Sequence, residues 1–353
     1  GKATHTPLRN YHLSMKIVLC YPAEPRHLRQ ISSVMPEAEI VNAGQQGIAA
    51  ALFDADIFCG HAKVPVDWNA VIRQGRLRWI QSSAAGMDHC LVPSVIASDV
   101  TVTSASGVLA DQVAEHTIAL VTGWCRSLPA FFRAQQQKDF TRQPTRDLHH
   151  STVGIIGFGG VGRRLARLLS VFRTRILATD MFPIDKPEYV EHLWPADRLD
   201  DLLARSDIAV LALPLNAMTR GTVDARALAL MKRSSLLVNV ARGPLVVTGD
   251  LINALQRGTL SGAVMDVTDP EPLPADNPLW EMPNVIITPH VGGQCATRQD
   301  DVTRIFCENL RRWQCGEPLV NFLSDKKLGF PIRGPGSVLW TDVADRLAPL
   351  PAE

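Results

Sequence analysis

Arg242, Glu271 and His290 each follow an apolar run, in "VNVARGP", "DVTDPEP" and "VIITPH". An arginine, a carboxylate and an imidazole are the set needed to reduce the carbonyl of a 2-oxo acid. An imidazolium can donate a proton to the carbonyl oxygen while hydride arrives at carbon, and the neutral ring takes the proton back in oxidation. A neighbouring carboxylate favours the charged ring and fixes its tautomer. A guanidinium fork can hold the substrate carboxylate and polarise the carbonyl. Taken singly, each residue has an ordinary structural reading: a hydrogen-bonded histidine, a solvent-facing glutamate between prolines, a surface ion pair. Together, on successive strand ends and downstream of a cofactor site, they favour the chemical reading.

That cofactor site is visible in "STVGIIGFGGVGRRLARLLS". Gly157-Phe158-Gly159-Gly160-Val161-Gly162 satisfies G-x-G-x-x-G, follows a predicted strand and opens a predicted helix. Gly157 permits the tight turn, Gly159 lets the backbone approach a pyrophosphate, and Gly162 lets the helix pack close to the strand. The helix N-terminus offers free N–H groups to the phosphates. The next predicted strand ends at Asp180, near the distance of about 20 residues expected for the acid that binds the ribose hydroxyls. A carboxylate there repels a 2′-phosphate, and no basic residue stands in "TDMFP", so NAD is expected over NADP.

The elements that must carry these residues alternate between strand and helix, the pattern of parallel sheets built from βαβ units. Strands are predicted at Lys16–Cys20, Ala38–Ala43, Ala55–Gly60, Leu77–Ser83 and Val100–Ser106, then at Thr152–Gly159, Arg175–Asp180, Ile208–Pro214, Ser235–Ala241, Gly262–Val267 and Asn284–His290. Their near-continuous apolar character fits sheets covered on both faces. Between the two sets, Gly107–Lys138 is predicted as one long amphipathic helix whose apolar excess, including "PAFF", suits a homodimer surface. A further helix is expected over Ala296–Cys315, and the Pro- and Gly-rich tail from Ser324 is expected to be an extended wrap or a partly disordered end.

A chain of 353 residues is expected to form two domains. A net charge of +1 provides no global field for nucleic acid or an anionic membrane. Seven scattered cysteines without a CxxC pair argue against a disulfide framework or a zinc site, and Cys20 and Cys59 are expected to be buried thiols. No apolar run approaches the ~18 residues of a membrane span. The residues ahead of Met15 are read as a leader or an added remnant, and a cytoplasmic location is expected.

The motifs "GIIGFGGVG", "VNVARG", "MDVTDPEPLP" and "ITPHVGG", in this order, resemble those of the D-isomer-specific 2-hydroxyacid dehydrogenase family, and the resemblance runs from about Lys16 to Asn321. It implies that Arg242, Glu271 and His290 are catalytic, with Arg242 and His290 also touching substrate. Asp266 then lies near the nicotinamide carboxamide, as does Val108 near the ring, and Pro214, Thr219 and Ala241 join the cofactor set. The loop "SSAAGMDH" places Ala85 and Gly86 at the substrate carboxylate. Also implied is a Rossmann-type cofactor domain (105–295) inserted in a flavodoxin-like substrate domain (15–104 and 296–323), with a C-terminal tail over 324–353, in a homodimer. Both domains are then doubly wound α/β parallel sheets, and no metal is expected.

This chain departs from the family at "ALPLN", which lacks the usual imidazole and hydroxyl, and at Thr268, where an aromatic is common. The function expected is NAD-dependent interconversion of a small 2-oxo acid and its D-2-hydroxy acid, with glyoxylate or hydroxypyruvate first. Phosphoglycerate is less expected, because Cys59 stands where enzymes acting on it carry an arginine, although His61 and Lys63 lie nearby. The alternative is a non-catalytic NAD-sensing binding protein of the corepressor type, which keeps the same fold and catalytic residues.

Overall fold

The structure is a computed structural model that describes residues 14–344 and Leu347. The expected leader ahead of Met15 and the far end of the expected tail lie outside the described residues. The chain forms two compact units, one running to Val108 and resuming at Cys295, the other spanning Leu109–Gln294. Both are α/β, and among the described residues no helix is long and apolar enough to cross a membrane.

The first unit holds a five-stranded sheet of β1 (Lys16–Leu19), β2 (Glu39–Asn42), β3 (Ile57–Gly60), β4 (Trp79–Ser82) and β5 (Thr101–Thr103). All pairs are parallel and the order is β2-β1-β3-β4-β5, the flavodoxin-like arrangement. β3 and β4 are buried along their whole length. Helices cover both faces, and the last of them, Arg298–Cys315, is contributed by the returning chain. It packs on the helix Pro25–Val34, where Tyr21 meets Thr303 at 2.9 Å and His27 meets Asp300 at 2.6 Å. The His27 ring is fully buried and its Nδ1 accepts the Glu24 N–H, so Nε2 carries the proton given to Asp300.

The second unit holds β6 (Thr152–Ile156), β7 (Arg175–Asp180), β8 (His192–Pro195), β9 (Ile208–Leu211), β10 (Leu236–Asn239), β11 (Gly262–Met265) and β12 (Val285–Ile287). They form one parallel sheet in the order β12-β11-β10-β9-β6-β7-β8. The chain winds outward in opposite directions from β6 and β9, which is the Rossmann topology, and ligands of such sheets bind beyond the strand ends at that reversal.

The structure differs from the sequence reading at two elements. β8 is absent from the predicted strands because it is a short edge strand ending in proline, with no apolar alternation. The single long helix expected over Gly107–Lys138 is two helices, Ala110–Cys125 and Leu128–Gln136. Ser127 between them adopts φ 54°, and Pro129 sits in the first turn of the second helix. A left-handed residue ends the hydrogen-bonded spiral, and proline is tolerated only where it restarts.

The segment after Ser324 continues on the first unit. Lys326 donates to the carbonyls of Val95, Ser98 and Val100 at 3.0, 2.5 and 3.1 Å, and burial pulls its ammonium below the ordinary lysine range. A short helix follows at Trp340–Val343, and Trp340 is 5% exposed. Its N–H donates to Asn321 Oδ1, whose amide also reaches the carbonyls of Ser104 and Ser106. All seven cysteines are free thiols, and burial pushes Cys20 up to about 12 and Cys59 well above the ordinary range.

A buried polar network ties the returning helix to the sheet. Trp79 Nε1 donates to Thr103 Oγ1, which donates to Gln81 Oε1, which also accepts from Asn309 Nδ2. Asn309 takes both the N–H and the C=O of Val320 as well. Asn309→Leu keeps the volume and strips these partners. Each buried polar group left unpaired costs about 1–3 kcal/mol, so chemical denaturation should show a clear fall in the unfolding midpoint.

Candidate active site

The glycine loop joins β6 to the helix Gly160–Ser170. Gly157 has φ +94°, and a Cβ there would stand 2.7 Å from the Ala212 carbonyl oxygen. At Gly162 a Cβ would overlap the Gly157 oxygen, so helix and turn touch along bare backbone. Gly159 is the opposite case: nothing lies within 4 Å of its missing side chain, and no side chain caps the helix start. The first-turn N–H groups of Gly160, Val161 and Gly162 therefore face a free approach, as a pyrophosphate requires. Phe158 is buried; its N–H donates to Asp180 Oδ2 at 2.7 Å, and the Phe182 N–H donates to Oδ1 at 2.9 Å. Each carboxylate oxygen keeps a further lone pair. Sequence reasoning missed Arg163, whose guanidinium lies 4.8 Å from the Phe158 ring centroid and donates to the carbonyls of Ile184 and Asp185.

After β9, Thr219 Oγ1 donates to the Pro214 carbonyl at 2.7 Å and accepts the Asn216 N–H at 2.8 Å. Asn216 Oδ1 in turn accepts the N–H groups of Met218 and Thr219. Thus the asparagine of "ALPLN" closes an Asx turn that fixes Pro214 and Thr219.

The ends of β10, β11 and β12 are neighbours, so Arg242, Glu271 and His290 follow adjacent strands. His290 Nδ1 and Glu271 Oε1 are 2.6 Å apart, with the two side chains 43% and 42% exposed. Nδ1 is thereby engaged, and Nε2 is the ring nitrogen open to a reactant. Glu271 Oε2 accepts the Thr268 N–H at 3.3 Å, and the Thr268 hydroxyl donates to the Pro270 carbonyl. In place of an aromatic, Thr268 therefore stiffens the loop that presents Glu271. Arg242 is half-buried and donates from Nη1 to the Ala241 carbonyl at 2.8 Å. The fully buried Asn239 shapes this turn, accepting the Ala241 N–H and donating to the Arg242 carbonyl. Next to it, a Cβ at Gly243 would overlap the Thr268 carbonyl oxygen. The Arg242 turn and the Glu271 loop thus meet backbone to backbone, a contact that spacing along the sequence does not reveal.

Asp266, 2% exposed, follows β11. Its Oδ1 accepts the Thr288 hydroxyl at 2.6 Å and the Val291 N–H at 3.0 Å, and its Oδ2 accepts the Gly292 N–H at 2.9 Å. Its carbonyl accepts the His290 N–H at 2.8 Å. His290 has φ +54°, a conformation uncommon outside glycine that these bonds hold in place. Asp266 therefore does the work of a strand-end cap, and Oδ2 retains room for a further donor.

Ala85, Gly86 and Val108 belong to the first unit. Ser82 Oγ accepts the Ala84 N–H at 3.0 Å and contacts His89 Nε2 at 2.9 Å, which fixes the start of the loop carrying Ala85 and Gly86. The His89 ring stacks on His61 with centroids 4.0 Å apart. Val108 is 7% exposed and its N–H donates to the Ala105 carbonyl.

Comparison with known proteins gives a consistent picture. The family model "D-isomer specific 2-hydroxyacid dehydrogenase, NAD binding domain" matches residues 118–292. A glyoxylate reductase of Thermofilum pendens is 33% identical over 245 residues, covering 66% of this chain and 71% of that protein. A D-3-phosphoglycerate dehydrogenase of Mycobacterium tuberculosis is 31% identical over 273 residues, covering 76% of this chain and 51% of that protein. Among solved structures, a D-isomer specific 2-hydroxyacid dehydrogenase from Xanthobacter autotrophicus, in complex with NADPH and MES, superposes with a TM-score of 0.75 at 28% identity, covering 90% of this chain and 100% of that one.

The Gly243 contact can be tested apart from any chemistry. Overpacking costs about 1–3 kcal/mol, so Gly243→Ala should lower the denaturation midpoint. Gly249→Ala, in a helix with nothing within 4 Å, is the control; it should be neutral or stabilising by up to about 1 kcal/mol.

Proposed function

The chain belongs to the D-isomer-specific 2-hydroxyacid dehydrogenase family, and on that premise we propose that it reduces a small 2-oxo acid, glyoxylate or hydroxypyruvate, to its D-2-hydroxy acid with NADH. The single observation that carries this reading is the 2.6 Å pairing of His290 Nδ1 with Glu271 Oε1 beside the Arg242 turn. The nicotinamide cofactor, when bound, supplies the hydride. Glu271 holds the His290 ring with Nε2 outward, and Nε2–H donates the proton to the substrate carbonyl oxygen; in oxidation Nε2 takes it back. Arg242 binds the substrate carboxylate with its planar fork and polarises the carbonyl. By the family resemblance, Ala85 and Gly86 are backbone N–H donors to a substrate carboxylate, and on that basis the first unit is read as the substrate domain.

For the cofactor, Gly157 through Gly162 receive the pyrophosphate, with Phe158 and Val161 shaping the loop. Asp180 binds the ribose hydroxyls, and Pro214, Thr219, Ala241 and Val108 line the nicotinamide side. Asp266 Oδ2 takes the carboxamide. The open backbone at Gly159 and the uncapped helix start fit such a dinucleotide. The Xanthobacter relative was solved with NADPH; the preference for NADH here rests on the charge of Asp180. We also propose a cytoplasmic homodimer. Exposed Phe132 and Phe140 support a contact surface on the second unit, close in sequence to a groove of mixed polarity lined by Trp124, Ser127, Pro129, Arg146 and Ile286.

A panel of 2-oxo acids with NADH and NADPH tests the reading. Saturable oxidation of NADH is expected, with a higher kcat/KM than for NADPH; an NADPH preference would reject the role of Asp180. His290→Ala should lower turnover by about two to four orders of magnitude and leave NADH affinity near wild type. Near-normal turnover in a folded variant would eliminate His290 as the proton carrier. Sedimentation at micromolar protein should give a dimer, and a stable monomer there would refute that proposal.

A further inference from the structure

His116 stands on the helix Ala110–Cys125, far in sequence from the site, and nothing in the sequence reading used it. Its Nε2 lies 3.1 Å from Thr288 Oγ1 and 3.3 Å from Asp266 Oδ1. The protons can be assigned. Asp266 is an acceptor, and the single hydroxyl proton of Thr288 is spent on it at 2.6 Å. The remaining capacity at both oxygens is for accepting, so His116 Nε2 carries a hydrogen and donates it to the pair. Its ring also lies over the Gly292 turn, where a Cβ would be 3.4 Å from His116 Cδ2 and 2.9 Å from Asp266 Oδ2.

From this geometry we propose that His116 is a positioning residue for His290, acting through Asp266 and Thr288. It touches no reacting atom. Asp266 is almost wholly buried, and a buried carboxylate is stable only when its lone pairs are met by donors. The donors it has are the Thr288 hydroxyl, the N–H groups of Val291 and Gly292, and His116 Nε2–H. Two of these belong to the turn directly after His290, and the Asp266 carbonyl holds the His290 N–H. Losing the His116 donor leaves the carboxylate under-satisfied. It then draws on the remaining donors or on water, and the strained backbone at His290 moves. Displacement of a catalytic atom by about 1 Å costs up to about 100-fold in rate.

The inference rests on His290 carrying the proton, so the test pairs activity with a readout independent of it. His116→Phe keeps an aromatic ring over Gly292 and removes the donor; His116→Gln loses the ring and keeps an N–H near the Nε2 position. Thr288→Val removes the intervening hydroxyl at constant shape, and serves if His116→Phe fails to fold. The expected result is a fall in kcat between about 10- and 100-fold for His116→Phe and Thr288→Val, and recovery to within about threefold of wild type in His116→Gln. Hydrogen exchange at the Val291 and Gly292 amides should accelerate in the two impaired variants and not in His116→Gln. An active His116→Phe beside an impaired His116→Gln shows that the ring only packs, and overturns the proposal. Wild-type turnover with wild-type exchange in His116→Phe also overturns it. If exchange follows the expected pattern while His290→Ala remains active, the reading of His290 fails and the role of His116 in holding the turn stands.

Discussion

The site depends on one buried carboxylate. Asp266 is the residue through which three strand ends are tied. Its N–H donates to the Asn239 carbonyl at the end of β10, it directly follows β11, and its carbonyl and carboxylate hold the backbone from Thr288 to Gly292 beyond β12. A charge with 2% exposure is costly unless its hydrogen bonds are complete. That cost enforces the geometry, because any register in which the turn after His290 drifts away strands the charge. Asn239 extends the tie by shaping the turn that presents Arg242.

The nucleotide loop uses the same device with a different degree of burial. Asp180 ends β7 as Asp266 follows β11, and it too accepts N–H groups from two segments, at Phe158 and Phe182. Asp180 is only half-buried, so its spare lone pairs remain open to a ligand. In both places an acid at a strand end stabilises loops that have no regular structure of their own. A parallel sheet brings such ends to one edge, and chemistry collects there because the loops are free to vary while the strands are not.

Much of this was readable in advance. Every strand but the edge strand β8 stands out, because covered parallel strands are near-continuous apolar runs. The glycine loop was plain because each glycine answers to a local need. His290 and Glu271 could be paired in advance, since adjacent parallel strands deliver their ends to the same place. What escaped was long-range. The meeting of Gly243 with Thr268 and of His116 with Asp266 joins residues whose neighbours in sequence carry no trace of the partner. His116 sits in a helix whose apolar spacing gives no sign that one of its polar positions reaches a strand-end carboxylate. The break at Ser127 was hidden because apolar spacing continues across it. The Pro- and Gly-rich tail leaves an extended wrap and a partly disordered end both open in the sequence. Its fastening is not legible there, since Lys326 reaches the carbonyls of Val95, Ser98 and Val100 on the far side of the second unit in sequence, and Trp340 docks on Asn321 through a contact no local pattern marks.

The first unit is discontinuous in sequence, and this has a consequence during synthesis. Trp79, fully buried in β4, stacks on Trp313 at 5.2 Å and leans on Phe306, both from the returning helix. Until the ribosome has made the intervening second unit, that face of the sheet has no cover. At roughly 5–20 residues per second, the interval is on the order of ten seconds or more. A nascent chain with an exposed tryptophan and open parallel strands is a substrate for chaperones and a hazard for aggregation. The second unit, continuous in sequence, is free to fold first and bring the ends of its host together.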